Sequence, residues 1–275
     1  MRPSRLVVAS LVVALAWLFV APGQAGVRAQ AQPAAASPPA ACSKAWVGRE
    51  AEFEEYLRAA PIDRIEDVPI GVTKPKRAFF KPGGPAASAA WKPLKPGIHG
   101  GFWDSYRAEI AAYELDKLLG LQMVPPAVER TLDGQTGALV YWVEDVKGWK
   151  ISDPVQGPDQ YAWSKEVVRM KMFDDLIGNN DRNQGNLIYD PEYHLILIDH
   201  SRALTTDKKL PSTFSRVDRR TWERMDALTY EQVEAAVGAW IGKGEVRAIL
   251  ERRDKMREEI KKLVAKTSEP AVFMR

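Results

Sequence analysis

Apolar positions along this chain change their spacing partway through, and the change divides it into two kinds of region. The stretches "AFFKPGG" (78–84) and "AAWKPLKPG" (89–97) each place a short apolar run ahead of Lys-Pro, with Gly-Gly-Pro between them. That pattern predicts two strands joined by a turn. "DSYRAEIAAYELDKLLG" (104–120) then switches to a helical period, with Asp104 as its cap, Ile110, Leu115, Leu118 and Leu119 as its apolar stripe, and Gly120 as its stop. "AVERTL" and "GALVYWVED" flank "DGQTG" and read as a hairpin. From Gln160 onward the helical period dominates. "YAWSKEVVRMKMFDDLIG" repeats apolar residues at Trp163, Val167, Met170, Phe173, Leu176 and Ile177. One further hairpin, "NLIYDPEYHLILID", turns at Asp190–Tyr193 and sets Leu187 beside Ile196. Helices over 230–241 and 246–264 close the chain. The mixed charge of the second is a solvated face, with Ile249, Leu250, Ile260 and Leu263 turned inward.

The first 49 residues follow a different rule. They contain no acid before Glu50, and Arg2 and Arg5 precede a 16-residue apolar run over 6–21. A basic start, an apolar core and small residues after it predict a secretory signal peptide over 1–31, cleaved after Ala25 or Ala31. The protein is then exported, periplasmic or secreted, and has no stable membrane span. The alternative is an uncleaved N-terminal membrane anchor, for which the run is somewhat short against the roughly 20 residues of a spanning helix. An Ala/Pro-rich linker over 32–45 cannot build a core. It contains Cys42, the only cysteine, which excludes an intramolecular disulfide and a cysteine-based zinc site.

Charge narrows the partners. The chain carries 39 Lys and Arg against 36 Asp and Glu, but Arg2, Arg5 and Arg28 fall within the signal. The mature domain is therefore formally neutral, which gives no footprint for nucleic acid and disfavours tight binding to anionic lipid.

The candidate chemistry lies in "LIGNNDRNQGNLIYD" (176–190), a polar loop between a helix and a hairpin. Folding the hairpin about its turn brings Asn186 and Asp199 side by side at its open end, with Asp181 on the loop that feeds the first strand. Two carboxylates and an amide oxygen on one patch are hard oxygen ligands. They suit Mg²⁺, which prefers one or two carboxylates, several waters and substrate phosphates. Asp174 and Asp175, ending the preceding helix, either hydrogen-bond the loop backbone or form a solvated face. His99, His194 and His200 show no zinc spacing, and His200 reads as structural.

Asp181, Asn186 five residues later and Asp199 thirteen after that resemble the catalytic loop and metal-binding aspartate of the protein-kinase-like superfamily. There is no His-Arg-Asp, Asp-Phe-Gly or Ala-Pro-Glu. "IGNNDRNQGN" and "LIDHSRAL" instead resemble the atypical, phosphatidylinositol 3-/4-kinase-like branch, with similarity to bacterial persistence-toxin kinases and secretory-pathway Golgi kinases. The likeness covers 79–204 well and the last helices loosely.

The resemblance implies an α+β, two-lobed kinase-like fold. A small β-rich N-lobe with one helix spans 46–143, and a mainly helical C-lobe spans 144–275. It implies an ATP- and Mg²⁺- or Mn²⁺-dependent phosphotransferase acting on a hydroxyl of a protein, lipid or small molecule. Asp181 would take the hydroxyl proton, Arg182 would brace the loop, and Asn186 and Asp199 would hold the metal. Lys92, with Lys81 as its competitor, would meet the phosphates and be held by Glu109. Lys92 is preferred because its strand leads directly to the helix bearing Glu109. The Gly83–Gly84 turn would cover phosphates, and Val143 and Glu144 would form the hinge facing an adenine. Two alternatives share the site: a secreted pseudokinase serving as a nucleotide-binding scaffold, and a nucleotidyl transferase.

Overall fold

The structure is a computed structural model, and it describes residues 44–69, 75–154 and 156–275. The signal peptide expected over 1–31 and most of the linker lie outside the described residues. Within the described residues no helix is long and apolar enough to cross a membrane.

The elements run α1 (Glu50–Ala59), β1 (Ile62–Asp67), β2 (Lys76–Phe80), β3 (Ser88–Lys92), β4 (Gly97–His99), β5 (Phe102–Asp104), α2 (Tyr106–Leu119), β6 (Ala127–Leu132), β7 (Gln135–Tyr141) and β8 (Lys147–Gly148). They continue with α3 (Gln160–Ile177), β9 (Leu187–Tyr189), β10 (Leu195–Leu197), β11 (Val217–Asp218), α4 (Arg219–Asp226), α5 (Tyr230–Val237), α6 (Lys243–Lys266), α7 (Glu269–Val272) and β12 (Phe273–Met274). The main sheet has the order β1-β2-β3-β7-β6 with every neighbouring pair antiparallel.

Side-chain alternation divides the sheet between two helices. In β7, Leu139 and Tyr141 pack with Phe53 and Leu57 of α1, whereas Ala138 and Val140 join the core that holds Ile110 and Leu115 of α2. A strand buried on both faces reads as a continuous apolar run, as "GALVY" does. Phe53 meets the Tyr141 ring edge-on at 5.0 Å between centroids. The α2 core continues without a break into α3, α5, α6 and the β9–β10 hairpin. Thus α2 belongs to both halves, and a side chain on it can reach from the sheet to the helical region.

The expectation of one helix beside the sheet is corrected, because α1 is a second. Only Phe53 and Leu57 of its ten residues are buried, so its apolar stripe is too sparse to read. The pattern also missed β1, where a register shift between Ile62 and Arg64 breaks the alternation. The cap of α2 is Ser105, whose hydroxyl accepts from Arg107 N–H, and not Asp104. Leu118, placed in the inward stripe, is exposed. The β6–β7 turn is the two-residue Asp133–Gly134, both with positive φ (50° and 74°), as a type I′ hairpin requires.

The β9–β10 hairpin is shifted by one residue from expectation: Leu187 faces Leu197, not Ile196. The reason is its turn. Asp190 N–H donates to the His194 carbonyl at 3.1 Å, so the loop is Pro191–Glu192–Tyr193, with Tyr193 left-handed at φ 66°.

Candidate active site

The site begins with the same alternation. Ala89 and Trp91 take the α1 face of β3, which leaves Ala90 and Lys92 for the α2 face. There Lys92 Nζ donates to Glu109 Oε1 at 2.6 Å and to Asp199 Oδ1 at 3.0 Å. Glu109, 2% exposed on α2, uses its other oxygen to accept the His200 backbone N–H at 3.1 Å. One carboxylate therefore ties β3 to the segment after β10. Burial alone would lower the pKa of Lys92, but Glu109 and Asp199 outweigh it and hold the ammonium above its ordinary value. For Glu109 burial pushes upward, and Lys92 and His200 outweigh it, holding the carboxyl well below the usual range.

Asp199 itself has φ 63°. Few non-glycine residues take up the left-handed region, and aspartate is among those that do so most readily. Asp199 remains 32% exposed at its side chain, between buried Ile196 and buried His200.

The 176–190 loop is held from behind. Gly178, left-handed at φ 68°, ends α3. One turn earlier, Asp174 accepts from Arg182 Nε at 2.9 Å and Nη2 at 2.8 Å, and from Asn179 Nδ2 at 2.9 Å. Arg182 Nη1 donates to the carbonyls of Asn186 at 3.1 Å and Ile198 at 2.8 Å. A single planar guanidinium thus sets α3, the end of the loop and the strand leading to Asp199 against one another. Its Nη2 also lies 3.0 Å from His200 Nε2. Arginine only donates, so Nε2 accepts, His200 is neutral, and its proton on Nδ1 faces Glu109 Oε2 at 3.8 Å. Burial lowers the His200 pKa and agrees with that form.

The asparagines satisfy backbone. Asn179 Oδ1 accepts from Asp181 N–H at 3.1 Å, and Asn183 Oδ1 accepts from Gly185 N–H at 2.8 Å. Asn186 Nδ2 donates to the Asp181 carbonyl at 3.0 Å, and its Oδ1, an acceptor, meets no protein donor among the described residues. Asp181, its side chain 37% exposed, meets Arg202 Nη1 at 3.2 Å through Oδ2.

Neither helix-end carboxylate is a solvated face. Asp174 binds Arg182, and fully buried Asp175 accepts from Ser212 N–H and Oγ–H, both at 2.7 Å.

The structure brings Lys92, Glu109 and Asp199 into contact, and Arg182 onto the backbone of Asn186. It does not bring the Gly83–Gly84 turn to them. That turn joins β2 to β3 at the Ser88 end, and Lys92 ends β3, roughly 13 Å away at about 3.3 Å per residue. A Cβ on Gly84 would overlap the ring of Tyr56 in α1, so this glycine makes room for packing. The connection between β1 and β2 emerges at the Lys92 end instead, since Lys76 pairs with Trp91. Its Gly71 lies outside the described residues. Lys81 sits at the far end with the glycines, its N–H donating to the Pro61 carbonyl at 3.2 Å. Val143 is buried with Trp91 and Tyr141, and Glu144 pairs with Arg77.

Sequence reasoning missed Arg202, Ser201 and Asp104. Asp104, 1% exposed, accepts from Ser201 Oγ–H at 3.0 Å and Arg202 Nε–H at 3.1 Å.

No family model matches the chain. A curated protein, Rv2133c of Mycobacterium tuberculosis, is 27% identical over 132 residues, covering 37% of this chain and 48% of that protein. The match thus spans about half the length of that relative. Among solved structures, the Golgi casein kinase with Mn and ADP bound is similar at a TM-score of 0.65 and 13% identity, covering 83% of this chain and 79% of that one. Hydra Fam20 with sugar gives 0.63 and 16%, covering 82% and 92%. The Helicobacter pylori proinflammatory kinase CtkA gives 0.51 and 11%, covering 76% and 96%. With the antiparallel sheet, the helix bearing Glu109 and the helices that follow it, these likenesses show a protein-kinase-like fold of mixed α and β elements.

Proposed function

We propose that the protein is a phosphotransferase that moves the γ-phosphoryl group of ATP to a hydroxyl acceptor with a divalent metal, Mg²⁺ or Mn²⁺. The observation that carries this reading is the placement of Lys92 against both Glu109 and Asp199. A lysine that the fold pins between a helix carboxylate and a part-exposed aspartate is a fixed cation, and here it lines a small cavity with Leu94, Tyr106 and Ser201. Kinase-type transfer needs such a cation for the nucleotide phosphates.

The residues present fit a metal. Asp199 Oδ1 is engaged by Lys92 and its Oδ2 faces no protein donor among the described residues. Asn186 is held by its amide NH₂, so its Oδ1 is an acceptor. Asn186 and Asp199 would hold the ion, which when bound would neutralise phosphate charge. In the transfer, the acceptor oxygen forms a bond to the γ-phosphorus while the bond to the β,γ-bridging oxygen breaks. ADP departs, and the hydroxyl proton passes to Asp181. Arg182 keeps that loop in register through Asp174, and Glu109 orients Lys92.

The N-lobe over 46–143, the C-lobe over 144–275 and a hinge at Val143 and Glu144 are part of this proposal. Affiliation with the phosphatidylinositol 3-/4-kinase-like branch rests on "IGNNDRNQGN" and "LIDHSRAL". Export rests on the N-terminal pattern. The acceptor is a hydroxyl of a protein, a lipid or a small molecule.

Purified protein lacking residues 1–43, given ATP with Mg²⁺ or Mn²⁺, is expected to release ADP. Asp181→Asn is expected to lower kcat by roughly 10²–10⁴-fold while a Mn²⁺–ADP thermal shift persists. Equal turnover in wild type and Asp181→Asn would overturn the reading.

A further inference from the structure

Arg202 touches three side chains on two separate segments, the strand β5 and the 176–190 loop. Its Nε–H donates to Asp104 Oδ1 at 3.1 Å, its Nη1 lies 3.2 Å from Asp181 Oδ2, and its guanidinium carbon stands 4.3 Å above the Phe102 ring centroid. Phe102 and Asp104 are two residues apart on β5, so they share one face of the β4–β5 hairpin, and the guanidinium covers both. The hairpin is built for a fixed pose. Its turn, Gly100–Gly101, has both φ values positive (57° and 88°), the two-residue geometry that a tight hairpin needs. Its base is latched. Ser105 N–H donates to the Ser201 carbonyl at 2.8 Å, Ser201 Oγ–H donates to Asp104 at 3.0 Å, and Tyr106 N–H donates to the Leu94 carbonyl at 2.8 Å.

We infer that Arg202 is a positioning residue for Asp181, and that the β4–β5 hairpin sets the pose of the proposed base through it. The inference rests on the kinase reading above. Asp181 stands on a loop whose own bonds fix its backbone: Asn179 and Asn186 hold its N–H and carbonyl. Arg202 holds its side chain through Oδ2, leaving Oδ1 turned to an incoming hydroxyl, with Asn183 Nδ2 3.5 Å away. Asp104 balances the guanidinium from behind and Phe102 shields it from solvent. Movement of the hairpin therefore withdraws the support of Arg202, and an acceptor that braces the hairpin reinforces it. Half-exposed Trp103 and exposed Ile98, paired in register, form the opposite face of the same hairpin.

The experiment compares the full wild-type chain with its Arg202→Gln, Arg202→Lys and Phe102→Leu variants. ATP turnover with Mn²⁺ is expected to fall roughly 100-fold in kcat for Arg202→Gln, with KM for ATP within about 3-fold, because a misplaced reacting group costs rate and not nucleotide binding. Arg202→Lys restores charge to the site and is expected to recover about 10-fold of that loss, and Phe102→Leu to lose several-fold. Unchanged kcat in Arg202→Gln overturns the inference. So does a loss that Arg202→Lys does not relieve, or one carried by KM. Absence of turnover in wild type with either metal overturns the kinase reading instead. Amide hydrogen exchange then still reads the coupling. Arg202→Gln is expected to speed exchange in both 97–105 and 179–183, and acceleration in only one of the two, or in neither, sinks it.

Discussion

Asp174 grips Arg182 with both carboxylate oxygens, at 2.8 and 2.9 Å, with each side chain less than a tenth exposed. The pair is local in sequence, eight residues apart, yet through the carbonyls of Asn186 and Ile198 it sets the whole loop. Removing one member leaves a buried charge uncompensated. Asp174→Ala is expected to destabilise the fold by about 3–5 kcal/mol in urea titration, and turnover is expected to fall even where the protein is fully folded. A change below about 1 kcal/mol would show that Arg182 is held without Asp174.

Lys92 and Lys81 make opposite forecasts. Lys92→Met is expected to lower kcat for ATP turnover by about 10²–10³-fold, the loss typical of one preorganised electrostatic partner. Lys81→Met, at the far end of the sheet, is expected to stay within about 2-fold of wild type. Steady-state kinetics on the two variants decide it, and the reverse ranking would move the phosphate site to the Gly83–Gly84 end.

Gly84 tests the same geometry by another route. A methyl group there forces the Tyr56 ring aside, and the expected cost is about 1 kcal/mol because a ring edge can swing. KM for ATP is expected to hold. A Gly84→Ala protein of normal stability but weakened nucleotide binding would reinstate the glycine pair as a phosphate cover.

Asp116 gives the fold a pH dependence. It is buried beneath the 121–124 segment, its Oδ1 accepting from Met123 N–H at 3.0 Å, and burial pushes its carboxyl up to about 7. The folded value lies above that of the unfolded chain, near 4, so its contribution is fully present below about pH 4 and is lost as pH rises through about 7. Wild type is expected to lose up to a few kcal/mol between pH 5 and 8. Asp116→Asn, which keeps the acceptor for Met123 without the charge, is expected to flatten that slope. Parallel stability curves for the two proteins would refute the assignment.

The lysine, its glutamate and the loop were legible in the sequence because each depends on local order. Lys92 leads through one hairpin to the helix of Glu109, and Asp181, Asn186 and Asp199 are related by one turn and two strands. What stayed hidden depends on distance along the chain. Arg202 and Asp104 are 98 residues apart, and nothing in either segment names the other. The Gly83–Gly84 pair announces a turn, but a turn does not say at which end of a sheet it lies; that is fixed by strand order and register. The hairpin register slipped by one residue because Tyr193 adopts a left-handed backbone that no glycine announces. Helix α1 was invisible because two buried side chains are enough to dock it.

The left-handed backbone of Asp199 has a practical corollary for anyone altering the site. Few side chains occupy that conformation readily; glycine, asparagine and aspartate are the short alphabet that does. Alanine at 199 therefore removes a carboxylate and strains the left-handed bend at once, and its effect mixes two causes. Asparagine removes the charge alone. Glycine keeps the bend and removes everything beyond the α-carbon. Read together, the asparagine and glycine variants separate what the carboxylate does from what the bend does, at a position where one residue supplies both.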